Sequence, residues 1–191
     1  HSGSMDHHYR SGAVQKLADQ ALGLAVNLDD DGEVPTVLFS SRAIPPVPVS
    51  LADHRGSVER MHAACPWGST NYADAMQTVI THYCTSGAFD PALVMFQSDG
   101  NPNSRKEAER LLKEASHLPI FWAFIGFGED LEFLRRLDTL RVGFGGRKVD
   151  NASLFETGRD PSVVTDEELY DGIVHEYPSW LEAARRAGVI R

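Results

Sequence analysis

Ala92-Leu93-Val94-Met95-Phe96-Gln97-Ser98-Asp99-Gly100 is an apolar run that stops abruptly at Ser-Asp-Gly. A run of this kind, bounded by turn residues, predicts a buried parallel strand whose carboxyl end puts Asp99 at the sheet's edge. Gly100 and Pro102 then turn the chain, and Ser104 is placed to cap a helix opening near Arg105. In open α/β sheets, ligands bind outside the carboxyl ends of the strands. Asp99 therefore marks where a site belongs, and the residues able to reach it decide what that site does.

The flanking sequence repeats the alternation of strand and helix. Pro119 to Phe127 is a second buried run; Val34 to Phe39 and Val149 to Phe155 are further strand candidates. Ile44 to Val49 carries three prolines and suits at best an edge strand. Val14, Leu17, Ala18, Ala21, Leu22, Leu24 and Ala25 repeat at helical spacing from Ala13 to about Asn27. Ser50 is placed to cap a short helical stretch, and another covers about Val58 to Ala64. Helices are also predicted over Tyr72 to Thr85, Arg105 to Ser116 and Leu131 to Leu137. Thr165-Asp166-Glu167-Glu168 is a capping box that opens a last helical region, interrupted at Pro178 and stopped at Gly188. The order predicts an α/β fold: one doubly wound, mainly parallel, Rossmann-like sheet with helices on both faces, and 92–98 beside 119–127 at its centre.

Composition narrows the function. The 191 residues suit one domain, and 42% hydrophobic residues argue against a disordered chain. A formal net charge of −9 disfavours nucleic acid and anionic membrane as partners. Leu118 to Phe127, the longest apolar run, is too short to span a bilayer. Cys65 and Cys84 have no CxxC spacing and read as free thiols of a reducing cytosol.

Three loops concentrate hydroxyls and carboxylates: Ser2-Gly3-Ser4, Gly68-Ser69-Thr70-Asn71 and Ser98-Asp99-Gly100. Oxygen donors without a committed His or Cys suit a hard cation such as Mg²⁺, with Ca²⁺ or Mn²⁺ as alternatives. So few charged ligands leave the ion positive and open to a carboxylate from another molecule. Each residue also has a plainer role. Asp99 can be a turn or capping residue, Thr70 the cap of the Tyr72 helix, and Ser2 and Ser4 a terminal loop or a cloning remnant.

These loops resemble the von Willebrand factor A (vWA) domain and its metal-ion-dependent adhesion site. The family's first loop is Asp-x-Ser-x-Ser, and Ser2 and Ser4 match its two serines. Thr70 matches its second-loop threonine and Asp99 its third-loop aspartate. More narrowly, the chain resembles the vWA domain of the bacterial tellurium-resistance group, the TerF-like and TerD-associated proteins. Val14-Gln15-Lys16-Leu17-Ala18-Asp19, Asp29 to Val34, Thr70-Asn71-Tyr72-Ala73, Pro119-Ile120-Phe121-Trp122, Asp166 to Asp171 and Pro178-Ser179-Trp180-Leu181 carry that likeness. It implies a non-catalytic, metal-dependent module of stress-linked protein association in the cytoplasm, whose protein partner supplies a carboxylate to the metal. The family's first aspartate and the strand before it fall ahead of His1. The expectation is therefore a single vWA-like domain over 1–191 whose central strand slot is filled by preceding residues or another chain.

Other motifs have weaker claims. Asp29-Asp30-Asp31 lacks the alternating ligands and closing Glu of a calcium loop. Gly126-x-Gly128 lacks the third glycine of a dinucleotide fingerprint, since Leu131 stands there. His7 and His8 are adjacent, with no further ligand at zinc spacing, and no phosphate-binding loop precedes Arg105-Lys106. The alternative function is a metal-dependent hydrolase or phosphotransferase on the same scaffold. It requires a general base beside the metal, and the three loop cores contain no Glu, His or Lys.

Overall fold

Ile120–Gly126 shows why this chain makes a three-layered sheet structure. Every residue of that strand is buried. Ile120, Trp122 and Phe124 point into one apolar cluster, with Leu111 and Leu112 among its members. Ala123 and Ile125 point into another, with Leu17, Leu169 and Ile173. Alternate side chains thus leave opposite faces, and both faces are covered by helices.

The computed structural model describes residues 5–25 and 32–191. Three strands, β3 (Ala92–Ser98), β4 (Ile120–Gly126) and β5 (Ala152–Glu156), form a parallel sheet in that order. Ala92 pairs with Ile120 through to Ser98 with Gly126, and Trp122 pairs with Ala152. β1 (Glu33–Thr36) and β2 (Val47–Ser50) form a separate antiparallel pair. The helices are α1 (Asp6–Arg10), α2 (Ala13–Ala25), α3 (Ser57–Ala64), α4 (Tyr72–Ser86), α5 (Arg105–Ala115), α6 (Glu132–Asp138), α7 (Asp166–Val174) and α8 (Tyr177–Arg186). Buried residues of α4, α5 and α6 cover one face of the sheet. Residues of α2 and α7 cover the other, while Trp180 and Ala184 of α8 pack on Phe121. Among the described residues, no helix is long and apolar enough to cross a membrane.

The organising strand departs from expectation in one respect. β3 is an outer strand of the three-stranded sheet, and Ala92 to Met95 are only half-buried. Residues 33–39 and 92–99 line one cavity of about 850 Å³, closed by side chains of α2 and α4. Among the described residues, β1 and β3 each hydrogen-bond to one neighbouring strand.

Several local expectations are corrected. Residues 6–10 form α1 where a polar loop was expected. Arg10 pairs with Asp6 at 2.9 Å, and the buried His8 packs on Phe127. Ser50 ends β2 rather than capping a helix, and residues 51–53 are a turn. Pro178 does not interrupt a helix; it lies in the first turn of α8, where a missing N–H costs nothing. The Thr165 capping box is present, with Glu168 completing it. Asp29, Asp30 and Asp31 lie outside the described residues.

Candidate functional site

The loop before α4 is held from below by the turn after β1. Asn71 N–H donates to the Ser40 carbonyl at 2.9 Å, and Ser69 N–H donates to Ser41 Oγ at 3.0 Å. A Cβ on Gly68 would overlap Ser41 Oγ, so only glycine permits this approach. Asn71 is the N-cap of α4: its side-chain oxygen accepts from Asp74 N–H at 3.2 Å. The capping role open to Thr70 is thus filled by its neighbour.

The loop after β3 is held with similar economy. Ser104 caps α5, its hydroxyl accepting from Glu107 N–H at 3.3 Å, so Asp99 is not the cap there. Tyr72, fully buried, reaches across from α4. Its hydroxyl donates to the Gly100 carbonyl at 2.5 Å and accepts from Ser98 Oγ at 2.6 Å. Burial, with Asp99 also contributing, pushes the Tyr72 phenol well above its ordinary range, so it stays a donor. Ser98 C=O accepts from Phe127 N–H at 2.9 Å. Both neighbours of Asp99 are pinned in this way.

Asn103 ties the two loops together. Its side-chain oxygen accepts from Thr70 N–H at 3.1 Å, and its amide donates to Ser69 Oγ at 2.8 Å. Its backbone N–H donates to the Thr70 carbonyl at 2.8 Å. Thr70 and Asp99 both line the cavity beside β3, and both are half-buried. Among the described residues, no hydrogen bond or ion pair engages the Thr70 hydroxyl or the Asp99 carboxylate. The backbones are fixed and the two side-chain oxygens are uncommitted, which fits a hard cation that binds oxygen.

Ser2 and Ser4 lie outside the described residues. The helix that follows them, α1, does lie near Asp99. The Asp99 charge raises the proton affinity of Tyr9 and His8, two residues of that helix. Tyr9 also packs edge-on against Trp67, just ahead of the Thr70 loop, at 5.6 Å between ring centres. His8 is the imidazole closest in kind to a base for this site. Its pKa is lowered, first by burial and then by His7, with Asp99 and Asp160 opposing. Among the described residues its Nδ1 has no hydrogen-bond partner, and its ring lies 5.3 Å from that of Phe127. His8 is not among the residues lining the cavity that Thr70 and Asp99 share. Among the described residues, no three His, Cys, Asp or Glu side chains cluster as a metal site. Asn103 and Tyr72 escaped the sequence reading. Asn103 sits in Asn-Pro-Asn-Ser, which reads as an ordinary turn, and Tyr72 reads as the first residue of a helix.

Comparison with known proteins bears on the family. A profile of vWA-TerF-like domains, described as the vWA found in the TerF C terminus, matches residues 1–190. The uncharacterized protein YcbR of Bacillus subtilis (strain 168) is 30% identical over 199 residues, spanning 100% of this chain and 78% of YcbR. A solved structure, von Willebrand factor type A from Catenulispora acidiphila, superposes with a TM-score of 0.58 at 16% identity. That match covers 90% of this chain but only 40% of the other, and its likeness is one of fold.

Proposed function

The chain belongs to the vWA-TerF-like family, and from that premise we propose that it is a metal-ion-dependent protein-interaction module. Thr70 and Asp99 hold a hard divalent cation, Mg²⁺ before Ca²⁺ or Mn²⁺, together with Ser2 and Ser4. A carboxylate of a partner protein takes the ion's open position. The setting is a cytoplasmic response to tellurite or related chemical stress.

One observation carries this reading. Among the described residues, Thr70 and Asp99 keep unengaged oxygens at one cavity, while Asn71 caps α4 in place of Thr70 and Ser104 caps α5. A residue kept for a turn or a cap would use its side chain there. Bound Mg²⁺ supplies a Lewis-acidic centre for the incoming carboxylate. The chain's residues orient that centre. The second reading, a metal-dependent hydrolase or phosphotransferase, draws on His8, whose titration responds to Asp99. Its packing on Phe127, away from the shared cavity, favours the interaction reading.

The test is Asp99→Ala against the parent, with and without EDTA, in Mg²⁺ calorimetry and in partner capture from stressed cells. The variant keeps its fold and loses metal-dependent binding. Equal binding by both proteins, indifferent to EDTA, removes the proposal.

A further inference from the structure

We propose that Asn103 is the positioning residue of the metal site, and that its link between the two loops makes the site select Mg²⁺ over Ca²⁺. This rests on the interaction-module reading and adds to it a residue and an ion preference.

Asn103 is exposed, so its bonds do not exist to satisfy a buried amide. Nor does it cap α5, since Ser104 does. Yet its side-chain oxygen, its side-chain amide and its backbone N–H are all spent on Ser69 and Thr70. Thr70 is thereby held through both its N–H and its carbonyl, leaving its hydroxyl free for the cavity. Asn103 lies four residues after Asp99 on the same loop. It therefore couples the position of the second-loop oxygen to that of the third-loop carboxylate. Tyr72, through Ser98 and Gly100, makes another direct tie between these two stretches.

The link bears on ion choice because the two cations tolerate different error. Mg²⁺ demands near-octahedral oxygens at about 2.0–2.1 Å, whereas Ca²⁺ accepts six to eight ligands at roughly 2.3–2.6 Å in flexible geometry. A pair of ligands whose backbones are fixed against each other suits the stricter ion. Removing the clamp leaves the ligands in place but lets their spacing drift, and the stricter ion loses more.

The experiment titrates MgCl₂ and CaCl₂ into parent, Asn103→Ala and Asp99→Ala proteins by calorimetry, with thermal unfolding of each in EDTA. Asn103→Ala is expected to weaken Mg²⁺ binding about 10–100-fold, the usual effect of removing an outer-shell support. Ca²⁺ binding falls several-fold less, and the melting temperature in EDTA stays near that of the parent. Equal weakening of both ions together with a lowered melting temperature means a merely structural role and overturns the inference. Unchanged binding by Asn103→Ala, with binding lost in Asp99→Ala, overturns it too and leaves the module reading standing. Unchanged Mg²⁺ binding in Asp99→Ala overturns the module reading itself, and this inference with it.

Discussion

Tyr72→Phe removes one oxygen atom and tests how the Asp99 loop is held. The ring is fully buried, and its edge contacts with Phe96 at 4.9 Å and Phe39 at 6.0 Å remain possible for phenylalanine. No cavity of side-chain size opens, so the change measures the hydroxyl. Two bonds disappear, to the Gly100 carbonyl and from Ser98 Oγ. Gly100 and Ser98 are both buried, so water does not readily replace the lost partner. A buried polar group left unpaired costs roughly 1–3 kcal/mol. The Ser98 hydroxyl can rotate to recover part of this, so the expected loss is about 2 kcal/mol. In a domain of this length each kcal/mol moves the melting temperature by roughly 2–4 °C, which gives a fall of about 4–8 °C. Thermal and urea unfolding in EDTA measure it, so the result does not depend on any metal. The urea midpoint should drop with an unchanged m-value, because the surface exposed on unfolding is the same. A melting temperature within 1 °C of the parent would refute the argument that Tyr72 holds the loop.

Two further predictions concern other parts of the molecule. Burial first, then Glu176 and Asp150, raise the Asp138 carboxyl to about 6, with Arg147 opposing. The fold therefore favours the protonated acid: as pH falls through 6 toward 4, this group adds stability, and as pH rises through 6 that contribution is lost. Carbon-13 NMR should place the Asp138 midpoint near 6, and Asp138→Asn should remove that part of the pH dependence; a midpoint below 4 rejects the prediction. The cavity between β1 and β3 should accept one more extended strand. An eight-residue Val/Ile-rich peptide is expected to raise the melting temperature, and no effect counts against this reading of the cavity.

How far the sequence could be read depended on what each signal responds to. β4 was legible because a continuous apolar run with a buried helix on each face leaves little choice. The apolar run of β3 looked the same, yet its outer residues are half-buried. Side-chain character reports which faces suit a core, not whether both strand edges have a neighbour. α1 was missed because Asp6-His7-His8-Tyr9-Arg10 has no aliphatic stripe; it is held by His8 against Phe127, Tyr9 against Trp67 and the Asp6–Arg10 pair. At the candidate site, Asp99 and Thr70 stand out by their residue types and loop positions, and by their match to the family's loops. The choice between Thr70 and Asn71 as helix cap was not legible, since both types cap well and only geometry separates them.

The charge of the whole chain constrains what the proposed site can recruit. At a net charge of −9, an approaching acidic segment meets repulsion first. Screening limits that repulsion to roughly 8 Å at physiological salt, so only the last step of approach can be governed by a bound cation. Near the site, Glu129 is engaged by Arg159 at 2.7 Å and Asp130 by Asn101 at 3.1 Å. On the proposed reading, Asp99 is left to the metal. A long acidic tract would multiply the repulsion while offering the ion only one carboxylate at a time. A single carboxylate on an otherwise neutral or basic surface gains the metal bond without that cost. On the proposed reading the partner is therefore of the second kind. Its association should depend little on salt where that surface is neutral and be slowed by salt where it is basic, while dissociation is set by the carboxylate–metal bond and rises sharply when EDTA removes the ion.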